Sequence, residues 1–366
     1  MKITILSFPL LVKHGGPPVA VTNVAQVLAA APNNSINLIL FGAFDSSLGS
    51  RIPPNINIFR QKTISKSIYS FFLKWNPEVT RSIKDSDLIL IHGFYFWYVL
   101  RLVYIRNVNA KLVFMPHGVF EPYQKAQSWR RKLVFNFLIS KRLQKFNPKF
   151  IVASKSEVLG VRQQFQTNTI EVAGLPIRIP SQYKIHSPRT LDVRQGINLL
   201  HLGRIAHKKR IDLTIKCLID LRKRGIKVVL NIIGDGDITL KEDLLRLARE
   251  NSVEAYVNFL GQLDGDLKYE ESLRNHILVL PSENENFAIS VAEALLMGLP
   301  CVVSKNVALS EVILTHKIGI VVNSLDVEEL SRAVLTASKN YQSFQESIIN
   351  SQNLFINNYF EDQFFK

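Results

Sequence analysis

Short apolar runs alternate along the whole chain with longer segments whose apolar positions recur every three or four residues. KITILSF, INLILFG, DLILIHG, KLVFMPH and KFIVASK in the first half have the unbroken hydrophobic character of strands covered on both faces. INLLHLG, KVVLNIIG, VNFLG, HILVLPS and PCVVS repeat it in the second. Between them AVTNVAQVLAA, DLTIKCLIDLRKRG and EDLLRLARENS carry helical periodicity and end near glycine or asparagine. Such alternation predicts an α/β fold with parallel sheets between helices, five strands per half, hence two Rossmann-like, doubly wound domains. The joint is expected in GLPIRIPSQYKIHSPRT, residues 174–190, where three prolines interrupt the pattern. The expected domains are 1–178 and 190–345, with residues 346–366 a helical segment returning to the first domain. Ligands of open parallel sheets bind beyond the carboxyl ends of the strands. Two such domains facing a central cleft would therefore keep their chemistry in strand-to-helix loops.

Composition narrows the class. A chain of 366 residues, 47% hydrophobic and 20% charged, has apolar material for two cores. Cys217 and Cys301 lie inside apolar periodic runs, which suits buried thiols in a reducing compartment and no disulfide framework. The N-terminal run is broken by Pro9 and Lys13 and lacks a small-residue cleavage site, so it reads as a strand rather than a signal peptide. No stretch has the roughly 18 apolar residues of a spanning helix. The expected location is cytoplasmic, peripheral at the inner membrane face.

The net charge of +15 points the same way, because residues 1–180 hold 23 Lys+Arg against 7 Asp+Glu while residues 181–366 hold 22 against 23. From Pro122 to Ser156 nine basic residues (Lys125, Arg130, Arg131, Lys132, Lys141, Arg142, Lys145, Lys149, Lys155) face no acid and interleave with Trp129, Phe135, Phe137 and Phe146. A second basic-aromatic stretch covers residues 62–75. Anionic lipid head groups and a nucleic-acid backbone both fit such segments.

The loops of the second half carry the chemistry. After HILVLPS, Glu285 precedes a helix and Glu293 lies inside it, seven residues between them. Two carboxylates so spaced can hold hydroxyls at two ends of an elongated ligand, while the amides of Phe287, Ala288 and Ile289 favour a phosphate at the helix start. Alone, the pair reads better as two surface carboxylates, with Glu285 acting in the helix cap. After INLLHLG, however, Arg204 ends a strand and Lys209 lies just before the next helix, two cations suited to a diphosphate.

Together these residues resemble family 4 of the retaining glycosyltransferases, of GT-B fold. The family pattern stands here as Gly203-Arg204, Lys209-Arg210-Ile211-Asp212, Gly234-Asp235-Gly236, Phe259-Leu260-Gly261, Pro281-Ser282-Glu283-Asn284-Glu285-Asn286-Phe287-Ala288, Glu293 and Gly298-Leu299-Pro300. The resemblance implies that Arg204 and Lys209 hold the donor diphosphate, Glu285 the donor sugar and Glu293 the ribose. It implies likewise that Gly15-Gly16 form the glycine loop of the first domain, and it puts His117 in FMPHGVFEP ahead of His92 as the active-site histidine. Arg210 and Ala288 replace family glycines, which is harmless at negative φ and strained at positive φ.

The expected activity is metal-independent transfer of a hexose, with retention, from a nucleotide-diphosphate sugar to a glycan or lipid-linked acceptor in surface polysaccharide biosynthesis. The nucleotide sugar is a co-substrate and no cofactor or metal is expected, the Asp-Gly-Asp triplets at 235–237 and 264–266 lying in the wrong fold for a metal-binding D-x-D. Rival readings are a sugar-nucleotide epimerase or hydrolase of the same fold, and a nucleic-acid-binding protein, which would leave the loops of the second half without a purpose.

Overall fold

In this computed structural model residues 1–62, 75–121, 129–165, 169–177 and 179–355 are described. The chain divides into two compact units, Met1–Pro176 and the residues from Ile177 onward. Most of the basic-aromatic stretch at 62–75, and Lys125 of the second stretch, lie outside the described residues.

The first unit runs β1 (Lys2–Ser7), α1 (Gly16–Ala30), β2 (Ser35–Phe41), α2 (Ser46–Gly49), β3 (Ile56–Gln61), α3 (Pro77–Lys84), β4 (Leu88–His92), α4 (Trp97–Leu102), β5 (Lys111–Met115), α5 (Trp129–Gln144), β6 (Lys149–Val152), α6 (Lys155–Arg162) and β7 (Ile170–Val172). Its strands pair in the order β3-β2-β1-β4-β5-β6-β7, all parallel. Phe94, Phe114, Phe120, Phe135, Phe150 and Phe165 pack ring to ring in the core of this unit.

The second unit runs β8 (Ile197–Leu202), α7 (Ile211–Lys223), β9 (Val228–Ile233), α8 (Ile238–Glu250), β10 (Val257–Gly261), α9 (Gly265–Leu273), β11 (Ile277–Leu280), α10 (Ile289–Leu296), β12 (Cys301–Ser304), α11 (Ser310–His316), β13 (Gly319–Val322), α12 (Val327–Lys339) and α13 (Tyr341–Phe355). Its order is β10-β9-β8-β11-β12-β13, again parallel. Both sheets reverse their strand order beside the first strand, between β1 and β4 and between β8 and β11, and such reversal points open a crevice for ligands.

The sheets have seven and six strands among the described residues rather than five each. The additional strands β3, β7 and β13 all lie at sheet edges. An edge strand has one neighbour and partial cover, so it can do without the continuous apolar run of a central strand. INIFRQ, with its inner four residues exposed or half-buried, is the plainest case.

Residues 346–355, expected to return to the first domain, continue α13, which packs against α10, α11 and α12 of the second unit. Gln345 is fully buried there, donating to the Gly298 carbonyl at 2.8 Å. Residues 356–366 lie outside the described residues. Cys217 and Cys301 are buried, and burial pushes the Cys217 thiol up to about 12.

Candidate active site

Gly203 and Arg204 leave β8, a single turn covers His207–Lys209, and α7 starts at Ile211. Arg210 bridges turn and helix with φ 52° and ψ 47°. A left-handed conformation costs a residue with a Cβ about 1–2 kcal/mol. Its guanidinium offsets part of this, with Nε 3.0 Å from Asp212 Oδ1 and Nη2 3.1 Å from Asp212 Oδ2. The loop after β9 passes so close that a Cβ on Gly234 would stand 2.2 Å from the Gly203 carbonyl oxygen, and one on Gly236 2.1 Å from that of Ile205. Glycine is required at both positions, which fixes the path of the Arg204 loop.

The β11–α10 loop is tied to the same turn. The Ser282 hydroxyl and the Glu283 amide both donate to the Lys208 carbonyl, each at 2.8 Å. Glu285 is then held extended, its amide donating to Asn306 O at 3.1 Å and its carbonyl accepting from Ala308 N at 3.0 Å. Its carboxylate consequently meets Lys209 Nζ at 2.7 Å and Lys208 Nζ at 3.4 Å, with the Ser282 hydroxyl donating at 3.3 Å. Burial alone would raise the Glu285 carboxyl, but the two ammonium groups hold it below the ordinary carboxylate range. On β8, fully buried His201 is held down to about 3 by burial and then by the Lys209 charge, so it stays neutral. Arg204 is exposed and has no ion pair among the described residues. Because β8 and β11 are the strands flanking the reversal, the cluster stands at the crevice of the second sheet.

Glu293 does not join Glu285. It lies inside α10, buried, paired at 2.6 Å with Lys268 Nζ of α9, which is itself buried. The Lys268 ammonium lies 4.6 Å from the Tyr269 ring centroid, and that ring stacks on Tyr183 at 5.1 Å. Ala288 introduces α10 with φ 64° and ψ 68°, and no side chain caps this helix start, where Phe287 and Ala288 are buried and Ile289 is the first helical residue. Both residues that replace family glycines therefore occupy positive φ, the strained alternative.

In the first unit Gly15, φ 77°, joins a short turn to α1, which opens at Gly16 with prolines behind it. His117, φ 59°, follows β5, and its Nε2 lies 2.8 Å from His92 Nδ1 at the end of β4. The two histidines that compete in the sequence thus form one hydrogen-bonded pair, rings stacked within 13°. Burial lowers His117 to about 4, and burial with the charge of His117 takes His92 well below the histidine range, so the pair is neutral near pH 7. The loop carrying His117 is clamped from α6, with Gly118 N donating to Glu157 Oε1 at 2.6 Å and Ser156 donating to Glu121 Oε1 at 2.7 Å.

Sequence reading missed Lys208, Ser282, Lys268 and His201. Lys208 lay beside a named residue and was readable as a second cation. A lysine in the acid-rich helix GDLKYEESL gives no sign of burial. Of the Asp-Gly-Asp carboxylates, Asp235 accepts from Gln262 N at 3.1 Å and Asp237 caps α8 through Leu240 N at 3.2 Å, while Asp264 accepts from Gln262 Nε2 at 3.4 Å.

Two α/β units with all-parallel sheets, the second presenting a lysine-glutamate cluster at its switch point, have the GT-B fold. The fold is that of the Anabaena Alr3699/HepE protein solved in complex with UDP and glucose, with a TM-score of 0.75 and 18% identity over 98% of this chain and 96% of that one. Residues 189–354 match the family model described as glycosyl transferases group 1. Among curated relatives, an uncharacterized 41.2 kDa protein in the cps region of Klebsiella pneumoniae is 24% identical over 262 residues, 69% of each chain. An uncharacterized glycosyltransferase of Methanocaldococcus jannaschii is 28% identical over 322 residues, 81% of this chain and 78% of that one.

Proposed function

We propose that the protein transfers a hexose, with retention and without a metal, from a nucleoside diphosphate sugar to a glycan or lipid-linked acceptor in surface polysaccharide biosynthesis. The observation that carries this reading is the Lys208–Lys209–Glu285 cluster on the loops it shares with Arg204, which has no ion pair among the described residues. Two lysines against one carboxylate leave one surplus positive charge, and Arg204 makes it two, the match for a diphosphate. Arg204 and Lys209 take the diphosphate in the bound donor and as the leaving group, where charge develops. Glu285 accepts from hydroxyls of the sugar, Glu293 from those of the ribose, and the uncapped start of α10 offers Ile289 and its neighbours to a phosphate.

From the first unit, Gly15-Gly16 give a second helix start to the donor phosphates, and neutral His117 hydrogen-bonds the sugar or the acceptor. The carboxylate closest to the sugar is already engaged by lysines, which suits a front-face route in which the departing diphosphate takes the proton of the acceptor hydroxyl. The relative in a cps region and the neighbour bound to UDP and glucose support the donor and pathway classes. The charge surplus of the first unit favours an anionic membrane surface, on the cytoplasmic side, as the place where the acceptor is met.

The test is a donor-acceptor assay with product analysis by NMR. Acceptor-dependent release of nucleoside diphosphate and an anomeric configuration equal to that of the donor are expected. Turnover of donor alone at the full rate would assign an epimerase or hydrolase instead, and a trapped covalent glycosyl-enzyme would overturn the front-face route.

A further inference from the structure

Helix α5 is apolar on two sides. Phe135, Asn136, Ile139 and Leu143 are buried against the first unit. On the other side Trp129 (55% exposed), Leu133 (57%), Val134 (61%), Phe137 (83%) and Leu138 (39%) face solvent. At about 100° per residue these five residues span roughly half of the helix circumference. Single exposed hydrophobics are ordinary, but five on adjoining turns of one helix make a patch that calls for a partner.

The charges around the patch identify the partner's chemistry. WRRKLVFNFLISKRLQ contains five basic residues and no acid. Lys132 and Arg142 lie over the Tyr95 and Tyr104 rings, at 5.1 and 3.9 Å. Arg131 and Lys141, with Lys145 just beyond the helix, are exposed and have no ion pair among the described residues. The bases stand towards the two ends of the helix and the apolar side chains between them. A second copy of this face would bring like charges together, and Leu133, Val134 and Leu138 have no ring on which a nucleobase could stack.

We infer that α5 lies flat on an anionic phospholipid surface, with Trp129, Leu133, Val134 and Phe137 entering the acyl boundary and Arg131, Lys141 and Lys145 meeting the head-group phosphates. This deepens the reading of a lipid-linked acceptor, yet its test is independent of that reading, since vesicle binding needs neither donor nor acceptor.

The experiment is flotation of the full chain with vesicles of phosphatidylglycerol and phosphatidylcholine, against phosphatidylcholine alone, with L133D/F137D, R131E/K141E and the control L314D on α11. Leu314 is 60% exposed, so the control reads general stickiness. Binding is expected to need the anionic lipid, and each double variant to weaken it about tenfold or more. L314D is expected to bind as wild type, and all variants to turn over a water-soluble acceptor at the wild-type rate. Equal binding to both vesicle types, or wild-type binding by L133D/F137D, overturns the inference. Loss of dimerisation, or of RNA retention, in place of vesicle binding in L133D/F137D would assign the face to those partners and overturn it as well.

Discussion

The two units build their sites from different electrostatics. In the second, charge is buried inside: Lys209 with Glu285 at 2.7 Å and Lys268 with Glu293 at 2.6 Å, all four side chains at 11% exposure or less. In the first, the buried carboxylates Glu157 and Glu121 accept from the Gly118 amide and the Ser156 hydroxyl, and the site histidines are kept neutral against one another. Buried ion pairs tolerate the loss of one partner badly, because the other is left charged in a poor solvent. They also accept a new ion by exchanging partners at little reorganisation, which is what a donor diphosphate requires. A neutral imidazole pair instead suits a ligand of hydroxyl groups. On the proposed function, the second unit would serve the charged half of the reaction and the first the uncharged half.

The largest effect is expected from Lys209→Met. It removes both the diphosphate cation and the main partner of Glu285, and kcat/KM should fall roughly 10²- to 10³-fold in steady-state assays. Lys208→Met, whose ammonium is farther from Glu285, should cost about tenfold or less. Equal effects of the two would break the assignment of Lys209 as the diphosphate ligand.

Next, Glu293→Gln and Lys268→Met should raise KM for the donor roughly ten- to hundredfold with kcat largely kept, as loss of uniform binding demands. Lys268→Met acts by leaving Glu293 unpaired, so the double variant should be less impaired than the two effects combined. Strict additivity would show that Lys268 does not position Glu293.

The histidine pair sharpens the comparison through pH. His117 titrates near 4 in the folded protein and near 6.5 when unfolded, so the unfolded chain binds the proton first. Stability is therefore lost as pH falls from about 6.5 towards 4, on the order of 3 kcal/mol from this residue, and levels below that. His92→Gln with His117→Asn should flatten that limb in urea titrations at pH 7.5 and 5.0. Glu285 acts in the same direction but in a lower window, its stabilisation present above the unfolded value near 4.5 and lost as pH falls past it. A kinetic limb near 6.5 that vanishes in His117→Asn would contradict the neutral pair.

The smallest effect belongs to Ala288→Gly. Relief of a left-handed alanine, about 1 kcal/mol, is set against the added freedom of glycine in the unfolded chain, about 0.5–1 kcal/mol, so the melting temperature should rise slightly or not move. Arg210→Gly should destabilise instead, because it also removes the Asp212 pair. The opposite order would mean that the strain at Ala288 is absent.

The sequence reveals what local patterning controls. Ten central or strongly apolar strands could be read from their runs, and the glycines of Gly234-Asp235-Gly236 from the family pattern they match, while the close backbone approach behind them shows only in the fold. Of the four edge strands only β10 was read, from VNFLG, while β3, β7 and β13 escaped. Positive φ at Arg210 and Ala288 was open, since neither residue type announces it. His92 and His117 both end apolar runs, but their contact depends on β4 and β5 being neighbours, a matter of topology. Lys268 and His201 gave no signal, because burial of a polar side chain is decided by elements distant in sequence.

The central claim is that the second unit's lysine-glutamate cluster holds a nucleoside diphosphate sugar. Its most direct test is thermal stabilisation of the wild-type chain and of Lys209→Met across UDP-, GDP-, ADP-, dTDP- and CMP-linked sugars. One diphosphate sugar should stabilise the wild type, by about 2.7 kcal/mol at a hundred times its Kd, and do so far less in Lys209→Met. No stabilisation by any diphosphate sugar, or equal stabilisation of both proteins, would contradict the account.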